Sequence, residues 1–191
     1  MKRIIIGISG STGAIYGVRM LEVLSGISDI ETHLVASDAA RLTIGFETDR
    51  DPDRVLGLAS CAYDNRDVGA AIASGSFITD GMVIAPCSIR TLAAVASSLN
   101  DNLLTRAADV CLKERRKLVM IVRETPLHAG HLRLMLQATE SGAVILPPAP
   151  AFYHLPKTIQ DVVDHTVGKA LDQFGIDAAL FKRWTGLPVE E

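Results

Sequence analysis

The chain has 191 residues, enough for one domain spanning 1–191 with a sizeable core and a short tail after about residue 184. Apolar residues make up 48% and aromatics 5%, with a mean hydropathy of +0.26, which suits a helix-covered parallel sheet built from Ala, Val, Ile and Leu. The formal charge of −3 gives no reason to expect nucleic acid, no apolar run reaches the ~20 residues of a membrane span, and Cys61, Cys87 and Cys111, with no C-x-x-C pair, suit reduced thiols in the cytoplasm.

Ile4 to Ile8 reads as a buried strand that breaks into glycines and hydroxyls, Gly7-Ile-Ser-Gly-Ser-Thr-Gly13. A helix is expected from about Gly13, carrying Ile15, Val18, Leu21, Val23 and Leu24 inward. Its N-terminal N–H groups and dipole suit a phosphate. The spacing is not the dinucleotide fingerprint G-x-G-x-x-G, and it lacks the Lys of a P-loop. It serves equally as a phosphate cradle or as a tight turn with no ligand.

Residues 32–36 predict a second strand, and Ser37-Asp38 predicts a cap for a helix through Ile44. Asp51-Pro52-Asp53 opens a short helix. Residues 61–80 are expected to form a long connection with little regular structure. A strand over 82–85 ends at Pro86, and Ser88 opens a helix to about Ser97. Asn100-Asp101-Asn102 caps the next helix, Leu103 to Arg116, and a strand covers 117–122. Thr125-Pro126 restarts a helix to about Ser141, a last strand covers 143–146, and Pro147, Pro148, Pro150 and Pro156 enforce an extended loop. Thr158 caps a final helix to about Phe174.

Strands alternating with helices predict an α/β fold, a doubly wound Rossmann- or flavodoxin-like parallel sheet flanked by helices. Ligands of such sheets sit beyond the carboxyl ends of the strands. Gly10–Gly13, Ser37 and Pro86–Thr91 all fall there and converge on one crevice.

Ser88-Ile89-Arg90-Thr91 offers hydroxyls and N–H groups to a phosphate or flavin edge, or simply caps its helix. Arg106 and Lys113 lie two turns apart on one helix face, placed to hold a phosphate dianion or to face solvent. Arg115 and Arg116 are expected in the last turn, complementing the helix dipole. Arg123-Glu124 ends a strand, where Arg123 can bind an anion and Glu124 can act as acid or base, or the two form a surface ion pair. Glu47, Tyr153 and Lys169 say little by themselves. His128 and His131 have no evident third ligand, so no metal site is expected.

Six stretches together carry a resemblance: Gly7 to Gly17, Glu47-Thr-Asp49, Pro86-Cys-Ser-Ile-Arg-Thr-Leu92, Arg106 to Arg116, Arg123-Glu-Thr-Pro-Leu127 and Pro150-Ala-Phe-Tyr-His154. The chain resembles the UbiX-type flavin prenyltransferases from Lys2 to about Trp184. The resemblance implies that reduced FMN is alkylated by dimethylallyl phosphate at N5 and then C6, without a metal. The prenylated FMN serves a UbiD-type decarboxylase. It further implies that Gly10, Ser11, Thr12, Ser37, Ser88, Ile89, Arg90, Thr91 and Arg123 bind FMN. Arg106, Lys113, Tyr153 and Lys169 surround the donor, and Glu47, Glu124 and Thr12 are catalytic. Glu124 manages protons at phosphate and flavin, and Glu47 takes the C6 proton. A homododecamer with flavin at a subunit interface is implied too. Thr12 stands where Ser is usual, Lys169 where Arg is common, and Val68 where some members carry an aromatic residue. Two other readings are an FMN-dependent decarboxylase of the peptidyl-cysteine type and a non-catalytic FMN delivery protein. The first uses a His near the chain start, whereas the first His here is His33, within a predicted strand.

Overall fold

The structure, a computed structural model, describes residues 1–186. The part of the expected tail at residues 187–191 lies outside them. Six parallel strands, β1 (Lys2–Ile8), β2 (Ile30–Ala36), β3 (Cys61–Asp64), β4 (Gly81–Cys87), β5 (Lys117–Val122) and β6 (Ala143–Ile145), form one sheet in the order β3-β2-β1-β4-β5-β6. The order reverses between β1 and β4, which opens a crevice at their carboxyl ends.

The period-two geometry of the strands divides the core. Ile4, Ile6, Ile8, Val83, Val119 and Ile121 face helices α1 (Ala14–Ser25), α2 (Asp38–Glu47) and α7 (Ile159–Asp172). Ile5, Met82, Ile84, Leu118 and Met120 face α4 (Ile89–Ala96), α5 (Leu103–Lys113) and α6 (Ala129–Glu140). The short α3 (Pro52–Leu56) starts at Asp51, whose carboxylate accepts from the Asp53 N–H at 3.1 Å. The expected cap of α7 is a full capping box between Thr158 and Asp161.

Several expectations are corrected. The 61–80 connection holds an edge strand, β3, in register with β2 from His33–Cys61 to Ala36–Asp64. Four residues with half-buried and exposed positions alternating carry too little apolar signal to reveal it. A single 3₁₀ turn follows at residues 71–73. Strand β4 runs through Pro86 to Cys87, with a register irregularity against β5 that accommodates the missing N–H. Helix α5 stops at Lys113, because Arg115 adopts a left-handed φ of 58°. Arg115 and Arg116 therefore lie outside the helix, and Arg116 donates to the Phe77 and Gly75 carbonyls instead of facing the dipole. Helix α6 starts at Ala129 rather than after Thr125, with His128 as its cap accepting from the Gly130 N–H at 3.0 Å. In α1, Ala14, Met20, Val18, Leu21 and Leu24 are buried, whereas Ile15 and Val23 are only partly so.

Gly17 lets α1 approach the end of β4. A Cβ there would lie 2.3 Å from the Ala85 carbonyl oxygen, a backbone atom that cannot step aside. Overpacking of this kind costs roughly 1–3 kcal/mol. Gly17→Ala is expected to lower the melting temperature by roughly 2–12 °C, measured at matched protein concentration. At Gly26 the nearest atom to a new Cβ is 3.5 Å away, so Gly26→Ala serves as the neutral control.

Candidate active site

The switch point between β1 and β4 is closed by one hydroxyl. The buried Ser9 Oγ donates to the Pro86 carbonyl at 2.8 Å and accepts the Ser88 N–H at 2.8 Å. The Ser9 N–H also donates to the Pro86 carbonyl at 3.2 Å. On the other side, the Ser37 N–H donates to the Ile8 carbonyl at 3.0 Å. The ends of β2, β1 and β4 are thereby tied into one rim.

Above this rim lies a cavity of 590 Å³, within the size range of cofactor pockets. Gly10, Ser37, Ser88, Arg90 and Thr91 line it, as do Asn65, Asp101 and Asn102. Ser37 caps α2, its Oγ accepting from the Ala40 N–H at 3.1 Å, and Ser88 caps α4, accepting from the Thr91 N–H at 3.2 Å. Two helix starts thus open on the same space, each with further N–H groups for an anion. Gly10 sits against Ala39, where a Cβ would come within 2.3 Å of the alanine methyl, so this corner of the wall is pure backbone. Ser11 Oγ is buried with no hydrogen-bond partner among the described residues. An orphaned donor beside a bare-backbone wall and two helix starts fits a ligand with a phosphate and several polar edges. FMN has that character.

At the start of α1 the chain supplies an anion of its own. The Glu47 carboxylate, at the end of α2, accepts from the Gly13 N–H at 2.8 Å and the Ala14 N–H at 3.2 Å. The chain's own anion thus meets two N–H groups of this helix start. Thr12 is exposed beside it. Arg123, whose N–H donates to the Cys87 carbonyl at 3.0 Å, lies close enough to Tyr16 to oppose the upward shift that burial imposes on that phenol. Glu124 is exposed, with Oε1 accepting from the Thr125 N–H at 2.9 Å. Ile89 is partly buried at the first turn of α4, between Ser88 and Arg90.

The four donor-binding candidates fall into two pairs. Arg106 and Lys113 do share a face of α5, and that face lies against residues 73–75. Arg106 Nε donates to the Ala73 carbonyl at 3.1 Å and its guanidinium pairs with Asp109 at 3.2 Å, while Lys113 pairs with Glu114. Neither lines the 590 Å³ cavity. Tyr153, in the loop between β6 and α7, belongs to an aromatic cluster with His154, His165 and Trp184, and Lys169 lies on α7. The Tyr153 hydroxyl is 3.0 Å from His165 Nε2, and Lys169, one turn beyond His165, lies 3.7 Å from Asp172.

Two features went unread in the sequence. Asn65 accepts the Leu103 N–H on its carbonyl at 2.8 Å and the Leu104 N–H on Oδ1 at 3.0 Å, docking the start of α5 beside the cavity. His165 is buried four residues before Lys169, and that i, i+4 spacing was the available signal. Among the described residues no group of three or more His, Cys, Asp and Glu side chains is placed to hold a metal ion, and no helix is long and apolar enough to cross a membrane.

Comparison with known proteins follows the same lines. Residues 1–171 match the family described as Flavoprotein. The flavin prenyltransferase UbiX of Thauera aromatica is 64% identical over 184 residues, covering 96% of this chain and 94% of that protein. The crystal structure of AnUbiX in complex with FMN and dimethylallyl pyrophosphate superposes with a TM-score of 0.95 at 48% identity, covering 98% of this chain and 99% of the other. A dodecameric FMN-dependent UbiX-like decarboxylase from Escherichia coli O157:H7 superposes at 0.94 with 46% identity, covering 96% and 100%.

Replacing Ser9 by Ala leaves the Ser88 N–H without a partner and the Pro86 carbonyl with only the Ser9 N–H, a loss of roughly 1–3 kcal/mol for a buried unsatisfied group. Ser9→Ala is expected to lower the melting temperature by roughly 2–12 °C and to weaken FMN binding measured by flavin fluorescence. Unchanged affinity would mean that the rim does not shape the cavity.

Proposed function

The chain belongs to the UbiX flavin prenyltransferase family, and from that membership we propose that it transfers a dimethylallyl group from dimethylallyl phosphate to N5 and then C6 of reduced FMN. The observation that carries the reading is the cavity at the switch point, where the Ser37 and Ser88 helix starts and the bare backbone of Gly10 meet, with the orphaned Ser11 hydroxyl on the next residue of the turn. Gly10, Ser11, Thr12, Ser37, Ser88, Ile89, Arg90, Thr91 and Arg123 hold FMN in this reading, with its phosphate on the start of α4.

The donor's carbon–oxygen bond breaks as its phosphate leaves with the electron pair. In a metal-free site the chain's own cations and a proton carrier must stabilise that charge. Tyr153 supplies a hydroxyl, hydrogen-bonded to His165, and Lys169, one turn of α7 beyond that histidine, supplies a cation. Arg106 and Lys113 lie elsewhere on the same chain and supply cations across a subunit boundary in a homododecamer, the assembly of the Escherichia coli relative. Leu42 and Phe46 on α2 and Leu132 and Leu136 on α6 are large, exposed apolar side chains, a surface that suits such burial between copies.

Glu124 manages protons at the departing phosphate and the flavin, beside Arg123. Glu47 takes the C6 proton during ring closure, with Thr12 adjacent. Glu47 is tied to the N–H groups of α1, which holds its carboxylate at the edge of the Gly-rich turn. The product passes to a UbiD-type decarboxylase, and the chain works in the cytoplasm as a single flavoprotein domain.

The test is single-turnover formation of prenylated FMN, followed by mass spectrometry, with reduced FMN, dimethylallyl phosphate and EDTA. Glu124→Gln keeps size and hydrogen bonding but cannot carry a proton. It is expected to slow the reaction by ~10²–10⁴ with FMN still bound. A variant within about threefold of wild type, far short of that range, would move the proton carrier to Glu47. Turnover with dimethylallyl diphosphate alone, or only with Mg²⁺, would overturn the metal-free monophosphate reading.

A further inference from the structure

Tyr153 stands in the loop between β6 and α7, where Pro147, Pro148, Pro150 and Pro156 leave no regular structure to hold it. Its side chain is half exposed, and its hydroxyl makes one hydrogen bond among the described residues, to His165 Nε2 at 3.0 Å. His165 itself is fixed. It is buried on α7, its ring lies parallel to that of His154 at 4.8 Å and 7°, and Phe181 packs on it at 4.6 Å. Gly168, one turn along, receives the Phe181 ring where a Cβ would have to sit, so the helix face is shaped for this packing.

A buried imidazole among rings is poorly placed to serve as a charge. Burial holds its pKa below the ordinary histidine value, with His154 and Lys169 pushing the same way and Asp172 opposing. It is well placed as a neutral hydrogen-bonding group with a fixed direction. Lys169 projects from the next turn of the same helix, so one rigid element positions both the lysine cation and, through His165, the tyrosine hydroxyl.

We propose that His165 is a positioning residue for donor binding, orienting the Tyr153 hydroxyl toward the departing phosphate beside Lys169. This rests on the reading that Tyr153 touches the donor. With the imidazole proton on Nε2, His165 donates to the Tyr153 oxygen. The phenolic O–H is then directed at a phosphate oxygen, and no proton changes owner. A loop tyrosine thereby gains the placement of a helix residue.

The experiment compares His165→Phe, His165→Gln, Tyr153→Phe and the double Phe variant by steady-state kinetics with dimethylallyl phosphate, alongside FMN affinity. Removing one hydrogen bond of this kind is worth about fivefold to tenfold. His165→Phe keeps the ring packing and is expected to raise the donor KM by about that factor with FMN affinity unchanged. His165→Gln, which restores a donor and acceptor, should return most of it, and the double variant should match Tyr153→Phe alone. If His165→Phe lost FMN binding, or folded poorly while His165→Gln also stayed impaired, the residue would be structural and the proposal wrong. If both histidine variants kept a wild-type donor KM while Tyr153→Phe was impaired, the positioning role would fall and the Tyr153 reading would stand. If Tyr153→Phe too were unaffected, that reading would fall with it.

Discussion

A single buried hydroxyl, that of Ser9, sets the geometry on which the site depends. A parallel sheet whose order reverses between β1 and β4 leaves two strand ends side by side with their helices departing in opposite directions. Such a split leaves backbone groups at the crevice floor with no ladder partner. Ser9 Oγ accepts the Ser88 N–H and adds a second donor to the Pro86 carbonyl, which also takes the Ser9 N–H. The residue it anchors, Ser88, is the cap of α4, so the same hydroxyl that joins the strands also aims the helix start at the cavity.

Electrostatics then divides the rim. The start of α1 is the expected anion site of a first βα turn, yet Glu47 reaches across from α2 and meets two of its N–H groups. The starts of α2 and α4 remain directed at the cavity under Ser37 and Ser88 caps. In the proposed reading a flavin phosphate is thus steered to the α4 side of the crevice. In the proposed reaction the Glu47 carboxylate, held beside the Gly-rich turn, is the group that takes the C6 proton. The four residues proposed to hold the donor lie apart, Tyr153 before α7 and Lys169 on it, Arg106 and Lys113 on α5. This separation is the physical reason for placing the reaction at a boundary between subunits.

Much of this was legible because the periodicities are strong. Buried Val/Ile/Leu runs mark β1, β4 and β5, and Ser37, Ser88, Asn102 and Thr158 cap the helices they predict. What escaped was set by tertiary contacts. Cys61-Ala-Tyr-Asp64 is a strand because β2 offers an edge, not because its own residues alternate clearly. Asn65 becomes important only where α5 returns to it. The end of α5 depends on one left-handed residue, Arg115, which no sequence rule singles out. Glu47 says little until the fold brings it to Gly13, and His165 goes unread because its partner Tyr153 comes from a proline-rich loop.

The division of the rim is the claim that sets where the flavin phosphate sits, and a crystal structure of the protein with FMN bound tests it most directly. The account predicts the flavin phosphate within hydrogen-bonding distance of Ser88 and Thr91 at the start of α4, with the Glu47 carboxylate still on the Gly13 and Ala14 N–H groups. A phosphate seated on those two N–H groups, with Glu47 displaced, would contradict it.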